Sequence, residues 1–132
     1  MDFSHNDKTN ALLEKLDAFI AEHIEPIENE VYDFHHKENH HGDWKKWKLH
    51  PGTEALKQKA REAGLANLFL PDAELGKGLT TLEYAPMAER MGRFLFAPEI
   101  FNCNAPDTGN MEVLYHFGND AQKAKWLTPL LA

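Results

Sequence analysis

The feature that most constrains this chain is its helix punctuation. Polar residues able to accept from free amides stand just ahead of apolar residues spaced three and four apart, and that combination leaves little room for any architecture but helices. After Thr9-Asn10, the residues Leu12, Leu13, Leu16, Phe19, Ile20 and Ile24 form one buried stripe, while Glu14, Lys15 and Glu22 fall on the wet side. Thr80 with Glu83 predicts a capping box ahead of Leu82, Met87 and Met91, and Asn119 with Gln122 repeats the pattern ahead of Trp126 and Leu127. Asp107 or Thr108 is placed to cap a helix carrying Met111, Leu114, Tyr115 and Phe117.

Prolines and glycines set the breaks. Pro26 has no N–H and clashes with the preceding turn, so it ends or kinks the first helix, with Ile27, Val31, Tyr32 and Phe34 resuming the pattern. Residues 35–50, rich in His and Lys, read as an exposed connector with Trp44 and Trp47 as two aromatic anchors. Thr53 predicts the cap of a short helix through Leu56, Lys59, Ala60 and Ala63, and Gly64 sits where a left-handed stop is expected. The nearly all-apolar run Leu65–Leu70, closed by Pro71, reads as a buried extended passage, and Gly76-Lys77-Gly78 as a turn. Pro86 falls inside the fourth helical stretch, where it kinks the helix or moves its start, and Pro98 suits the first turn of a short helix through Ile100 and Phe101. With no strand pair, hairpin signal or internal repeat, the chain reads as all-α: an orthogonal or irregular bundle of about five to six helices in one domain spanning residues 1–132.

Composition narrows the partners. A net charge of -7, with lysines interleaved among Glu and Asp, argues against a nucleic-acid footprint. A single cysteine, Cys103, excludes an internal disulfide. The start Met1-Asp2-Phe3-Ser4 is acidic where a targeting segment would be basic, and no apolar run is long enough to span a bilayer, so the expectation is a soluble, cytoplasmic chain.

Candidate chemistry is thin. His35, His36, His40, His41 and His50 could converge on zinc, but the segment contains Gly42 and lacks periodicity, so an exposed polar connector is the competing reading. Cys103 lacks a surrounding Cys/His signature and reads as a small buried hydrophobe. Nothing in the spacing of Glu99, Asp107 and Glu112 marks an acid–base pair, and Gly76 and Gly78 lack the strand–turn–helix context of a phosphate cradle. No catalytic constellation and no metal site is expected.

The series Gly64-Leu65-Ala66-Asn67-Leu68-Phe69-Leu70-Pro71, Leu79 to Glu89, Ala97-Pro98-Glu99-Ile100-Phe101-Asn102, Ala105-Pro106-Asp107-Thr108-Gly109-Asn110-Met111-Glu112 and Gly118-Asn119-Asp120-Ala121-Gln122-Lys123 resembles the N-terminal helical domain of the acyl-CoA dehydrogenases, nearest the branch of family members ten and eleven. That resemblance implies a layered enzyme. It consists of this helical domain, a middle β-domain and a C-terminal helical bundle, with FAD between the latter two and the acyl chain against the N-terminal helices. It further implies that the catalytic carboxylate lies in the bundle, that a flavin-contacting loop follows Ala132, and that this chain would not hold FAD alone. Phe101, Asn102, Asp107, Thr108 and Gly109 match the segment bordering the acyl end of the pocket. The implied partners are acyl-CoA and the two other domains, in a homo-oligomer; the residues contacting cofactor are unknown. Two rival readings are a non-catalytic all-α interaction module derived from the same domain, and a His-rich metal-binding helical protein.

Overall fold

The structure, a computed structural model, describes residues 4–132; Met1, Asp2 and Phe3, which carry part of the acidic start, lie outside the described residues. Helices alone make up its regular secondary structure: α1 Asp7–Phe19, α2 Glu28–Glu38, α3 Thr53–Glu62, α4 Thr81–Met91, α5 Ala97–Ile100, α6 Asp107–Phe117, α7 Asp120–Gln122 and α8 Thr128–Leu131. The all-helical fold matches the expectation, and no strand occurs among the described residues.

α1 begins earlier than its apolar stripe suggests. Asn6, not Thr9-Asn10, is the cap: its side chain accepts from the Thr9 amide at 2.8 Å, and Thr9 is itself buried a turn inside. Pro26 neither ends the helical run nor leaves it regular. The chain widens into a π-turn over Ile20–Ile24, with the Glu25 amide donating to the Ile20 carbonyl, and tightens through Glu25–Ile27 before α2. Widening by one residue shifts the hydrogen-bond register ahead of the proline, so its missing donor falls at a change of helix type rather than in a regular ladder. The same device precedes Pro129, where Lys123–Leu127 is a π-turn.

α2 runs through Glu38, so His35 and His36 are helical. Beyond it, Trp44 and Trp47 are 68% and 59% exposed and anchor nothing in the core. What holds that loop is Asn39, whose carboxamide accepts from the Lys48 amide at 2.8 Å and donates to the Lys48 carbonyl at 2.9 Å. Thr53 is the first helical residue of α3 and not its cap; Gly52 takes that position without a side-chain bond.

α3 ends as its glycine predicts. Gly64 is left-handed (φ 66°), and the paired bonds from the Leu65 amide to the Ala60 carbonyl and from the Gly64 amide to the Arg61 carbonyl, both 2.8 Å, satisfy the last carbonyls in a Schellman arrangement. The segment from Leu65 to Leu70 is buried, as expected, but not extended. It winds through tight turns in which Asn67 adopts φ 59°. The Thr80–Glu83 capping box is present and α4 starts right after it, with Pro86 accommodated inside. Met87 and Met91 are buried, whereas Leu82, at helical spacing with them, is 80% exposed.

The core has two parts. The larger joins Leu16, Ile20 and Ile24 of the first helical run to Leu56, Ala60, Leu65, Leu68, Met87, Met91, Ile100 and Phe101. The smaller joins Phe69 and Leu70 to Met111 and Leu127, and Tyr84 and Cys103 pack against both. α1 lies on α4, α3 on α5, and α6 on the last helical run. Ion pairs such as Arg90–Asp17 at 3.2 Å trace these contacts at the surface, where each is worth about 0–1 kcal/mol.

Candidate functional site

The polar loop after α5 is held from below. Phe101 is fully buried and meets Phe19 edge-on at 5.3 Å, its carbonyl accepting from the Asn67 amide at 3.0 Å. With Phe101 pinned, Cys103 turns into a cleft of about 250 Å³ between the 69–71 segment, the start of α4 and α6. The Thr80–Glu83 box sets the register that presents Tyr84 there, and Thr108 and Glu112, one turn apart on α6, supply the facing wall.

The floor of this cleft is uncharged. Burial pushes the Tyr84 phenol well above its ordinary value, with the neighbouring Cys103 thiol and the Glu112 carboxylate adding to the shift. Burial likewise raises the Cys103 thiol, whose sulfur donates to the Phe101 carbonyl at 3.3 Å. A thiol kept protonated is a poor nucleophile, so Cys103 contributes contact surface to a cleft whose polar groups are Thr80, Thr81, Thr108 and Glu112.

A second cleft, of about 350 Å³, opens between α3, α5 and α8. Asn102 and Asp107 face it together with Lys57, Glu99 and Leu130. Lys57 bridges Glu99 and, at 3.4 Å, Glu54; burial works against its charge, but the two carboxylates prevail and hold the ammonium above its ordinary value. A third cleft, of about 400 Å³, lies between the starts of α1 and α4 beside Thr9, Glu83 and Pro86. There Glu83 accepts from the Thr80 amide, the Asn6 carboxamide and the Thr80 hydroxyl, each at 2.8 Å, and these bonds lower its carboxyl to about 2.

The five residues matched to the acyl border therefore do not converge. Thr108 lines the cleft with Tyr84 and Cys103, Asn102 and Asp107 line the other, Phe101 is in the core, and Gly109 is on the surface with open space around it. Asp107 and Thr108 do not cap α6 either, whose cap position is Pro106 with no side-chain bond. Glu99, Asp107 and Glu112 are divided between the two clefts, Glu99 being engaged by Lys57. Tyr84 and Asn67 were missed from sequence. The one signal for Asn67 was its polarity inside an otherwise apolar run, and for Tyr84 its position one turn past a capping box.

Neither FAD nor a metal finds a ready site on these residues. A dinucleotide needs amide or cationic donors gathered on its diphosphate, yet two of the clefts carry only Glu83 and Glu89 or Glu112 as charged groups, and in the third Lys57 is taken up by Glu54 and Glu99, leaving Arg61 beside Asp107. Among the described residues no three His, Cys, Asp or Glu side chains converge on a metal position. Within the histidine-rich segment, His50 is instead engaged by Glu30 at 3.0 Å and His35 by Asn39 at 2.9 Å. No helix among the described residues is long and apolar enough to cross a membrane.

Comparison with known proteins supplies the context for these clefts. Residues 6–132 match the family model for the acyl-CoA dehydrogenase N-terminal domain. The chain is 44% identical over 129 residues to acyl-CoA dehydrogenase family member 11 of Gallus gallus, covering 98% of this chain and 16% of that protein. It is 46% identical over 125 residues to family member 10 of Mus musculus, covering 91% and 11%. A solved structure assigned as an acyl-CoA dehydrogenase from Mycobacterium abscessus superposes with a TM-score of 0.87 at 47% identity, covering 97% of this chain and 32% of that one. The chain thus spans a third or less of these similar proteins. Matched along nearly its whole length by the N-terminal domain model and by these relatives, it belongs to the acyl-CoA dehydrogenase family.

Proposed function

We propose that this chain serves as the N-terminal domain of a flavin-dependent acyl-CoA dehydrogenase, forming one wall of the acyl pocket. The observation that carries this reading is the continuous family match over residues 6–132 in relatives three or more times longer. In the complete enzyme the reaction removes an α-proton and a β-hydride from acyl-CoA to give 2-enoyl-CoA, FAD being the two-electron acceptor. This chain's residues do not take part in that transfer: they shape and dry the cavity. Thr108, with Tyr84, Cys103, Phe69 and Leu79, offers a mixed surface, apolar on one side and edged by Thr80, Thr81 and Glu112, against which part of an acyl group would lie. Asn102 and Asp107 would border the acyl group only from the separate cleft between α3, α5 and α8, Gly109 would leave room at the surface, and Phe101 would support the loop from the core.

Exposed apolar side chains on the later helices fit the same role. Val113, Phe117 and Trp126 are 59%, 83% and 46% exposed, a surface that further layers of a longer enzyme would cover. Acyl-CoA, a β-domain and a helical bundle are the expected partners, in a cytoplasmic homo-oligomer. The test supplies the remaining domains as a separate polypeptide. Flavin bleaching by acyl-CoA that requires this chain supports the reading. A complex that assembles but bleaches no flavin with any acyl-CoA would favour the non-catalytic interaction module instead.

A further inference from the structure

The loop between Pro71 and Leu79 folds around one residue. Asp72 Oδ1 accepts from the Glu74 amide at 2.9 Å and the Leu75 amide at 2.7 Å, while the Asp72 carbonyl accepts from the Gly76 amide at 3.0 Å and the Gly78 amide at 2.9 Å. With four of the loop's amides ending on Asp72, the loop is braced as a unit. The other carboxylate oxygen, Oδ2, reaches out of the loop. It accepts from the Tyr115 hydroxyl of α6 at 2.9 Å, a contact between residues 43 positions apart.

Both ends of that bond are held. The Tyr115 ring packs against the smaller core, and Lys123 Nζ lies 5.6 Å from its centroid. A phenol donating to a carboxylate forms a charge-assisted bond, stronger than one between neutral partners. The Leu75 amide, the Tyr115 hydroxyl and the Glu74 amide hold the Asp72 carboxyl below its ordinary value, and the bond to Asp72 raises the Tyr115 phenol.

Place gives the bond its consequence. Pro71 and Leu79, which flank the loop, line one wall of the Tyr84–Cys103 cleft, and Thr108 and Glu112 line the other. Thr108, Glu112 and Tyr115 stand at i, i+4 and i+7 on α6, so the helix face that walls the cleft is also the face tied to the loop. Tyr115 itself lies outside the cleft lining.

We propose that Asp72 and Tyr115 are positioning residues: their bond ties the two walls of this cleft together and sets its width. The tether stands on geometry alone; only its consequence, that the pair limits the breadth of the acyl group admitted, rests on the function proposed above.

Cys103 serves as the gauge, being the chain's single cysteine and part of the cleft lining. Its labelling by dipyridyl disulfide, an uncharged thiol reagent, is followed in the native chain. Tyr115→Phe removes the hydroxyl and leaves the loop's own bonds in place, so labelling should accelerate about tenfold. Asp72→Asn keeps an oxygen for the loop amides and turns its carboxamide to the phenol oxygen. A neutral bond then replaces a charged one, so the acceleration should be smaller, and this variant serves if Tyr115→Phe fails to fold. Because both substitutions act on one bond, the double variant should label little faster than Tyr115→Phe. The acceleration should also be nearly independent of dilute urea, since a wall that swings open exposes far less surface than unfolding does. Unchanged labelling, a rate that climbs with urea as steeply as global unfolding, or additive effects would each overturn the tether. A second arm joins the chain to the remaining domains and compares branched with straight acyl-CoA. There Tyr115→Phe should lower KM for the branched substrate relative to the straight one, with kcat little changed. Faster labelling with an unchanged KM ratio would refute the acyl consequence and leave the tether standing, so the two failures are distinguishable.

Discussion

Phe101→Ala separates a pocket-lining residue from a core residue more sharply than any other substitution in this chain. Resemblance places Phe101 at the acyl border, but its ring is fully buried, packs edge-on to Phe19 at 5.3 Å and belongs to the larger core. Truncating a buried phenylalanine removes its transfer free energy and leaves a cavity, together about 3–5 kcal/mol, and that range already absorbs the lost aromatic pairing. Against a stability of about 5–15 kcal/mol for a domain this size, the loss is a large fraction. An unfolding entropy of about 2.1 cal/mol/K per residue gives about 0.28 kcal/mol/K for a chain of 132 residues, so Tm should fall by about 11–18 °C. Urea unfolding followed by circular dichroism should show the midpoint dropping with an unchanged slope. Thr108→Ala, at a partly exposed cleft residue, should cost about 0.5 kcal/mol or less. A loss under about 1 kcal/mol for Phe101→Ala would refute its assignment to the core.

Gly76→Ala should destabilise the chain more than Gly64→Ala. A Cβ at Gly76 would stand 2.2 Å from the Leu70 carbonyl oxygen, whereas at Gly64 the obstacle is the mobile end of Lys77 at 3.2 Å and the cost is mainly the left-handed backbone, about 1–2 kcal/mol. Equal midpoints for the two variants in urea would contradict that ordering. Glu83 has its carboxyl lowered to about 2 in the folded chain from an ordinary value of 4.5, so its contribution is complete above about pH 4.5 and is lost as the pH falls toward 2. Glu83→Gln should therefore lower stability at neutral pH and flatten the acid limb in that window; an unaltered acid limb would count against the three hydrogen bonds. Cys103, its thiol raised by burial, should react slowly with a disulfide reagent at pH 8 in the native chain and quickly in urea. Equal rates in both conditions would show the thiol to be open.

Local signals were legible wherever the cause was local. The Thr80–Glu83 and Asn119–Gln122 boxes close within one turn, and Gly64 takes a left-handed stop that few other residues adopt, so each could be read directly. Caps assigned to Thr9-Asn10, Thr53 and Asp107 or Thr108 missed by one to four residues, because a residue able to cap can equally well lie inside the first turn. Spacing placed Leu82 and Phe117 on apolar faces, yet both are more than 80% exposed or at that level. A helix has a face whether or not anything packs on it. The five matched site residues were adjacent in sequence, but the turn after α5 sends them to the core, to two clefts and to the surface.

By itself the sequence determined that this protein is helical, where several of its helices start and stop, and that it carries the motifs of a known family, because propensity, capping and motif all act over a few neighbouring residues. Tertiary structure alone decided which apolar faces are covered, that Tyr84, Cys103, Thr108 and Glu112 share a cleft, and that Asn67 and Asn102 meet each other and the end of α8. Those contacts join residues 28, 35 and 64 positions apart, and no local preference can specify which distant carbonyl a carboxamide will find.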